Sequence, residues 1–126
     1  MTQKYEYELT RAAYMLVNEM FCLKAGETLV ITADTQSDMR VVDAVAAAAF
    51  TAGALPMVVT LPSPRGVGKA ADPMLPLEPL TGALLGADAW VEFNKQWLLY
   101  SSPFERAMAQ NKKLRYMCLV EMTVDM

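Results

Sequence analysis

The segment Thr28–Ala33 reads Thr-Leu-Val-Ile-Thr-Ala, and so β-branched and apolar a run is a strand only if something covers both of its faces. A strand with one wet face alternates polar and apolar side chains, which this one does not. Around it the hydrophobic period changes. From Tyr5 to Cys22 the residues Leu9, Ala13, Leu16, Val17 and Met20 recur at helical spacing, and Gly26 is placed to stop the helix with a left-handed turn. After the strand, Thr35 with Asp38 three residues on offers capping chemistry for an Ala-rich helix to Gly53. Its polar residues Arg40, Asp43 and Thr51 form one narrow stripe, so the helix is expected to be mostly buried. Leu55–Leu61 follows as a second strand, with Pro56 near its start, where a missing donor is tolerated.

Between Leu61 and Leu77 lie Pro62, Pro64, Gly66, Gly68, Pro73 and Pro76, a composition that predicts a long irregular loop at the periphery. A short helix from Pro79 to Leu85, with Gly86 past its end, leads to strand three at Ala89–Phe93, where Glu92 interrupts an otherwise apolar run. Ser102, Pro103 and Glu105 form a capping box with proline at the first helical position, for a helix to about Gln110. Leu114–Val120 is strand four. Right-handed crossovers turn this order into an α/β fold: a doubly wound, mostly parallel four-stranded sheet of order 2-1-3-4 with helices on both faces. The 126 residues suit one domain, 1–126.

In such a sheet ligands bind beyond the carboxyl ends of the strands where the order reverses, here between strands one and three. That rule nominates two loops, Asp34 to Ser37 after the first strand and Asn94 to Trp97 after the third, with Asp34, Thr35, Gln36, Asn94, Lys95, Gln96 and Trp97 as substrate-binding residues. Asp34, Thr35, Asn94 and Gln96 are expected to converge on one crevice.

Several chemistries are excluded. The chain has no histidine, which removes the usual general base and the commonest metal ligand. Ser101 and Ser102 read as helix capping rather than as nucleophiles. Asp34, Glu92 and Glu121 lie near strand ends and offer oxygen ligands for a hard cation, but capping and edge roles account for each of them. Gly66-Val67-Gly68-Lys69-Ala70-Ala71 matches a dinucleotide-binding GxGxxA with Asp88 in the place of a ribose-binding acid. Its flanking prolines deny it the strand and helix that such a turn must join. A phosphate-binding loop at Ser63–Ala70 fails for want of the first Gly and the final Ser or Thr. No catalytic and no metal residue is therefore assigned.

A net charge of −3 without a basic stripe argues against nucleic acid. The cluster Lys112, Lys113 and Arg115 reads as cations at a helix C-terminus. Gly53 and Pro56 divide the longest apolar stretch, Val41–Leu61, into helix and strand, so no membrane span is expected. Met1–Glu8 does not read as a secretory signal, and Cys22 and Cys118, in apolar surroundings without a CxxC spacing, read as buried free thiols. The expected address is cytoplasmic.

The stretch Leu23-Lys24-Ala25-Gly26-Glu27-Thr28-Leu29-Val30-Ile31 leading into strand one resembles the N-terminal domain of the leucyl aminopeptidase T family of metallopeptidases, and is similar to the related 2,5-dihydroxypyridine dioxygenases. Gly86-Ala87-Asp88-Ala89-Trp90-Val91-Glu92, then Ser101-Ser102-Pro103 and a helix into Leu114–Glu121, fit the same order. The resemblance implies the N-terminal part of a larger enzyme whose divalent metal is held by carboxylates and histidines of a C-terminal domain. It would be an aminopeptidase-like hydrolase or a ring-cleaving dioxygenase. This chain would shape the substrate cleft and pair subunits, hold no cofactor and not be catalytic alone. Two alternatives stand beside it: a free-standing small-molecule or nucleotide binding module, and a protein-interaction subunit.

A hydrophobic fraction of 54% leaves apolar surface in search of cover. It points to a homo-oligomer or a second polypeptide, with Trp97, Leu98, Tyr100 and the Met-rich tail Met117–Met126 as expected contacts.

Overall fold

A computed structural model describes residues 6–119, from the first helix to the end of the fourth strand. Helix α1 (Glu6–Met15) widens into a π-helical turn at Leu16–Met20, closed by the Phe21 N–H donating to the Leu16 carbonyl at 2.9 Å. The order then runs β1 (Thr28–Asp34), α2 (Met39–Thr51), β2 (Leu55–Leu61), a 3-10 helix (Gly68–Met74), α3 (Leu77–Leu85), β3 (Ala89–Glu92), α4 (Ser102–Gln110) and β4 (Arg115–Cys118). The sheet has the order β2-β1-β3-β4 and every pairing is parallel. Val58 and Val91 both lie opposite Ile31, while Val91 also faces Met117.

Alternation along the strands builds two cores. Leu29, Ile31, Ala33, Ala89, Val91 and Phe93 pack with Ala13 of α1, Val17 of the π-helical turn, and Val42 and Val45 of α2. Val30 and Trp90 point the other way, against Leu80 and Leu84 of α3 and Ala107 of α4. Each fully buried aliphatic side chain contributes about 1.5–3 kcal/mol, and β1, the strand expected to need cover on both faces, is enclosed from Leu29 to Asp34.

Several local expectations are corrected. Helix α1 ends before Gly26: Cys22 takes the left-handed conformation, at φ +50°, and the Arg115 guanidinium donates to the Phe21 carbonyl at 2.7 Å. Gly26, at φ +85°, instead turns the chain into β1, its N–H bonded to the Gly53 carbonyl. The cap of α2 is Asp38, whose side chain accepts from the Arg40 N–H at 3.1 Å, because Thr35 is drawn to the 61–67 segment, accepting from the Ser63 N–H. Helix α2 buries one face only, and Phe50 stands 75% exposed. Ser101, not Ser102, caps α4 through the Phe104 N–H, so Pro103 is the second helical residue. Cys22 is exposed and Cys118 partly so, because Cys22 lies past the buried stripe of α1 and Cys118 lies on an edge strand.

The Pro/Gly segment is irregular only over 62–67, and from Gly68 onward it is not a peripheral loop. It folds into the 3-10 helix, seats Ala71 and Leu75 in the second core, and ties to α4 through Asp72, which accepts from the Ser102 N–H at 3.0 Å and the Ser102 hydroxyl at 2.5 Å. Lys113 and Arg115 lie past α4 and pair with Asp88 at 3.1 Å and Glu27 at 2.7 Å rather than sitting in its last turn. Among the described residues no helix is long and apolar enough to cross a membrane.

Candidate functional site

β1 and β3 are hydrogen-bonded neighbours running in parallel, so their carboxyl ends open side by side where the strand order reverses. Asp34 joins the two loops there. One carboxylate oxygen accepts from the Gln36 N–H at 2.9 Å and the other from the Gln96 N–H at 2.8 Å. Ser37 adds a second tie: its hydroxyl donates to the Phe93 carbonyl at 2.7 Å and accepts from the Asp34 N–H at 2.9 Å. The third wall is the 61–67 segment, held by the Ser63 N–H on the Thr35 hydroxyl at 3.2 Å. Asp34, Thr35, Gln36, Asn94 and Gln96 are thus brought into one loop cluster. Lys95 is exposed in it, and Trp97 is half-buried with its carbonyl bonded to the Gly68 N–H at 3.1 Å.

Gly68 shows what the GxGxxA stretch does. It has φ +58°, and a Cβ there would lie 3.1 Å from the Leu99 carbonyl oxygen, so glycine lets the two loops approach. Asp88 is at the opposite edge of the sheet, where it accepts from the Thr28 N–H at 2.9 Å. That bond, together with Lys113, holds its carboxyl below the usual range.

Two buried polar residues dominate the floor. Glu92 is fully enclosed on the α3/α4 side. One of its oxygens accepts from the Leu98 N–H and the other from the Tyr116 hydroxyl at 2.6 Å. Burial pushes its carboxyl up to about 7, against the opposing pull of Tyr116 and of the Leu98 and Leu99 N–H groups. The Tyr116 phenol is itself pushed up by burial and by the charge of Glu92. Trp90 packs against Tyr116 with ring centres 4.4 Å apart and planes tilted by 45°, and gives its indole N–H to the Thr32 hydroxyl at 2.9 Å. Asn94 is also fully enclosed, yet neither its amide nitrogen nor its amide oxygen has a hydrogen-bond partner. An unmet buried polar group costs about 1–3 kcal/mol, so Asn94 is the one buried side chain among the described residues that local stability does not explain.

Sequence reasoning named Asp34 and Glu92 and the loop that ends in Ser37, but missed Tyr116. The signal for Tyr116 was present: a carboxylate inside an apolar strand needs donors from its neighbours. Leu98, expected at a subunit contact, is instead fully buried in the second core. Tyr100 is 62% exposed, Met117 is partly buried, and positions 120–126, Glu121 among them, lie outside the described residues.

The cluster does not fit a metal. Among the described residues no three Cys, Asp or Glu side chains converge as a metal site needs. Both oxygens of Asp34 and both of Glu92 already accept from the protein. A separate groove of about 300 Å³ lies on the outer helical layer, lined by Thr10, Tyr14 and Asn18 of the first helical segment and Ala44, Ala48 and Thr51 of α2. It shares no residue with the loop cluster.

No protein-family model and no curated protein matches the chain. Among solved structures the fold is similar to 2,5-dihydroxypyridine dioxygenase from Pseudomonas putida KT2440, with a TM-score of 0.67 and 24% identity over 90% of this chain. The two share an architecture. The match takes in 34% of the dioxygenase, so this chain spans about a third of that neighbour.

Proposed function

We propose that this chain is the substrate-cleft and subunit-contact unit of a larger metal-dependent enzyme, with the crevice between the β1 and β3 ends as one wall of the cleft. The observation that carries this is the bridge from Asp34 to the Gln36 and Gln96 N–H groups, which sets two irregular loops side by side at the switch point of the sheet. The shared architecture with about a third of 2,5-dihydroxypyridine dioxygenase supports the reading. The metal and the residues that activate oxygen or water belong, in this proposal, to a region outside these 126 residues, because the carboxylates here are committed to N–H and O–H donors. Asp34, Thr35, Gln36, Asn94, Lys95, Gln96 and Trp97 serve as the substrate-facing wall. A dioxygenase parent and an aminopeptidase-like parent would use that wall in the same way.

Two experiments test this. Purified chain supplied with ferrous iron, zinc, cobalt or manganese is expected to turn over neither dihydroxypyridines nor peptide amides. Metal-dependent turnover that disappears in D34A or E92Q would overturn the proposal. Small aromatic and peptide ligands titrated into labelled protein are expected to shift the backbone amides at 34–37 and 94–97. Shifts confined to the groove on α1 and α2 would favour a free-standing binding module instead.

A further inference from the structure

A purely structural carboxamide is easily recognised in this fold: Asn111 gives its amide nitrogen to the Leu84 and Ala87 carbonyls at 2.9 and 2.8 Å. Asn94 does the opposite. It is enclosed as completely, but its donor and its acceptor are both unused. Its position is also particular. It follows Phe93, whose carbonyl is held by Ser37 of the first loop, and precedes Gln96, whose N–H is held by Asp34, so it sits inside the stitched junction of the two loops.

The segment that continues from it, Lys95 to Tyr100, has no helix or strand. It is pinned by the Gln96 N–H on Asp34, the Trp97 carbonyl on Gly68 and the Leu98 N–H on Glu92. It ends in Tyr100 at φ +71°, a conformation that costs a non-glycine residue strain and collects at functional loops.

We propose that Asn94 is a specificity-determining residue of the crevice, and that the ligand it accepts is a small planar molecule with a neutral amide edge, carrying a hydrogen-bond donor and acceptor side by side. This rests on the crevice reading above and names the chemistry it selects. An amide edge meets Nδ2 and Oδ1 together. A carboxylate would satisfy the nitrogen and set its charge against Oδ1, and a hydrocarbon would leave both atoms unmet. Trp97, half-buried in the same loop, suits the flat body of such a molecule.

The test is a titration of the full chain, labelled with nitrogen-15, with benzamide and separately with benzoate. Readouts are the side-chain amide signals of Asn94 and the backbone amides of Gln36 and Gln96. Benzamide is expected to shift both sets saturably, and benzoate to bind at least about tenfold more weakly. N94L keeps the branched outline of the side chain but adds bulk, and N94A adds none, so both are made; each is expected to lose about tenfold or more in benzamide affinity. If Gln36 and Gln96 respond while Asn94 does not, the amide selectivity falls and the crevice stands. If nothing responds, both fall. Benzamide affinity unchanged in N94A and N94L would overturn the proposal.

Discussion

The Tyr116 hydroxyl donates to the carboxylate of Glu92 at 2.6 Å from the neighbouring strand, at a point where neither group reaches bulk water through Glu92. The register makes the meeting possible. Tyr116 lies opposite Trp90 and Cys118 opposite Glu92, so the tyrosine approaches the carboxylate diagonally on the face packed by α3 and α4.

Glu92 should make stability depend on pH. Burial raises its carboxyl from 4.5 to about 7, so between those values the folded chain holds a proton that the unfolded chain has lost. Its contribution is most favourable below 4.5 and falls as pH rises through the folded-state value, by about 3 kcal/mol at most. Urea unfolding across this window should show the decline, and E92Q should flatten it. A wild-type profile that rises with pH, with E92Q unchanged, would contradict the assignment.

Y116F removes one donor from a buried carboxylate and leaves its packing against Trp90 in place. A hydrogen bond to a charged group contributes about 1.5–3 kcal/mol. The loss should appear in full above pH 7, where Glu92 is ionised, and shrink in acid. A loss independent of pH would mean that the phenol acts through packing alone.

D34A strips two N–H groups of their acceptor and should cost about 2–5 kcal/mol. The local signature is faster hydrogen exchange at Gln36 and Gln96, the two amides that its carboxylate holds. D34N keeps an acceptor for one of them and should fall between. Unchanged exchange at Gln96 in D34A would remove the bridge between the loops.

Two glycines should answer oppositely to alanine. G68A places a Cβ against the Leu99 carbonyl at a positive φ and should destabilise by about 1–3 kcal/mol. Gly82 is exposed within α3 with nothing within 4 Å of an added Cβ, so G82A should stabilise by about 0.5–1 kcal/mol. Thermal melts of the pair decide this.

β2 is an edge strand with Leu55 59%, Met57 42% and Val58 39% exposed. The Leu55 N–H turns inward to the Glu27 carbonyl, so alternation puts the missing donor of Pro56 on the open side. The remaining apolar edge is a template for pairing. Sedimentation should show association that rises with concentration and weakens in M57K. A monomer throughout the range would show that Pro56 protects the edge sufficiently.

How much of this was legible in advance differs between elements for a physical reason. The sequence by itself determined the fold class and strand order. The run Thr28–Ala33 demands cover on both faces, and the alternation of helical and strand periods leaves few right-handed ways to provide it. It also determined which loops meet, since the strand order places the ends of β1 and β3 together. Only the tertiary structure decided what each polar group does there. Ser102 lost its expected capping role to Ser101 because Asp72, thirty residues away, takes its hydroxyl and its N–H. The Pro/Gly segment became ordered core because Ala71 and Leu75 found the second hydrophobic layer. Glu92 is matched and Asn94 is not, because hydrogen-bond partners come from distant parts of the chain, whereas periodicity records only which side of an element a residue faces.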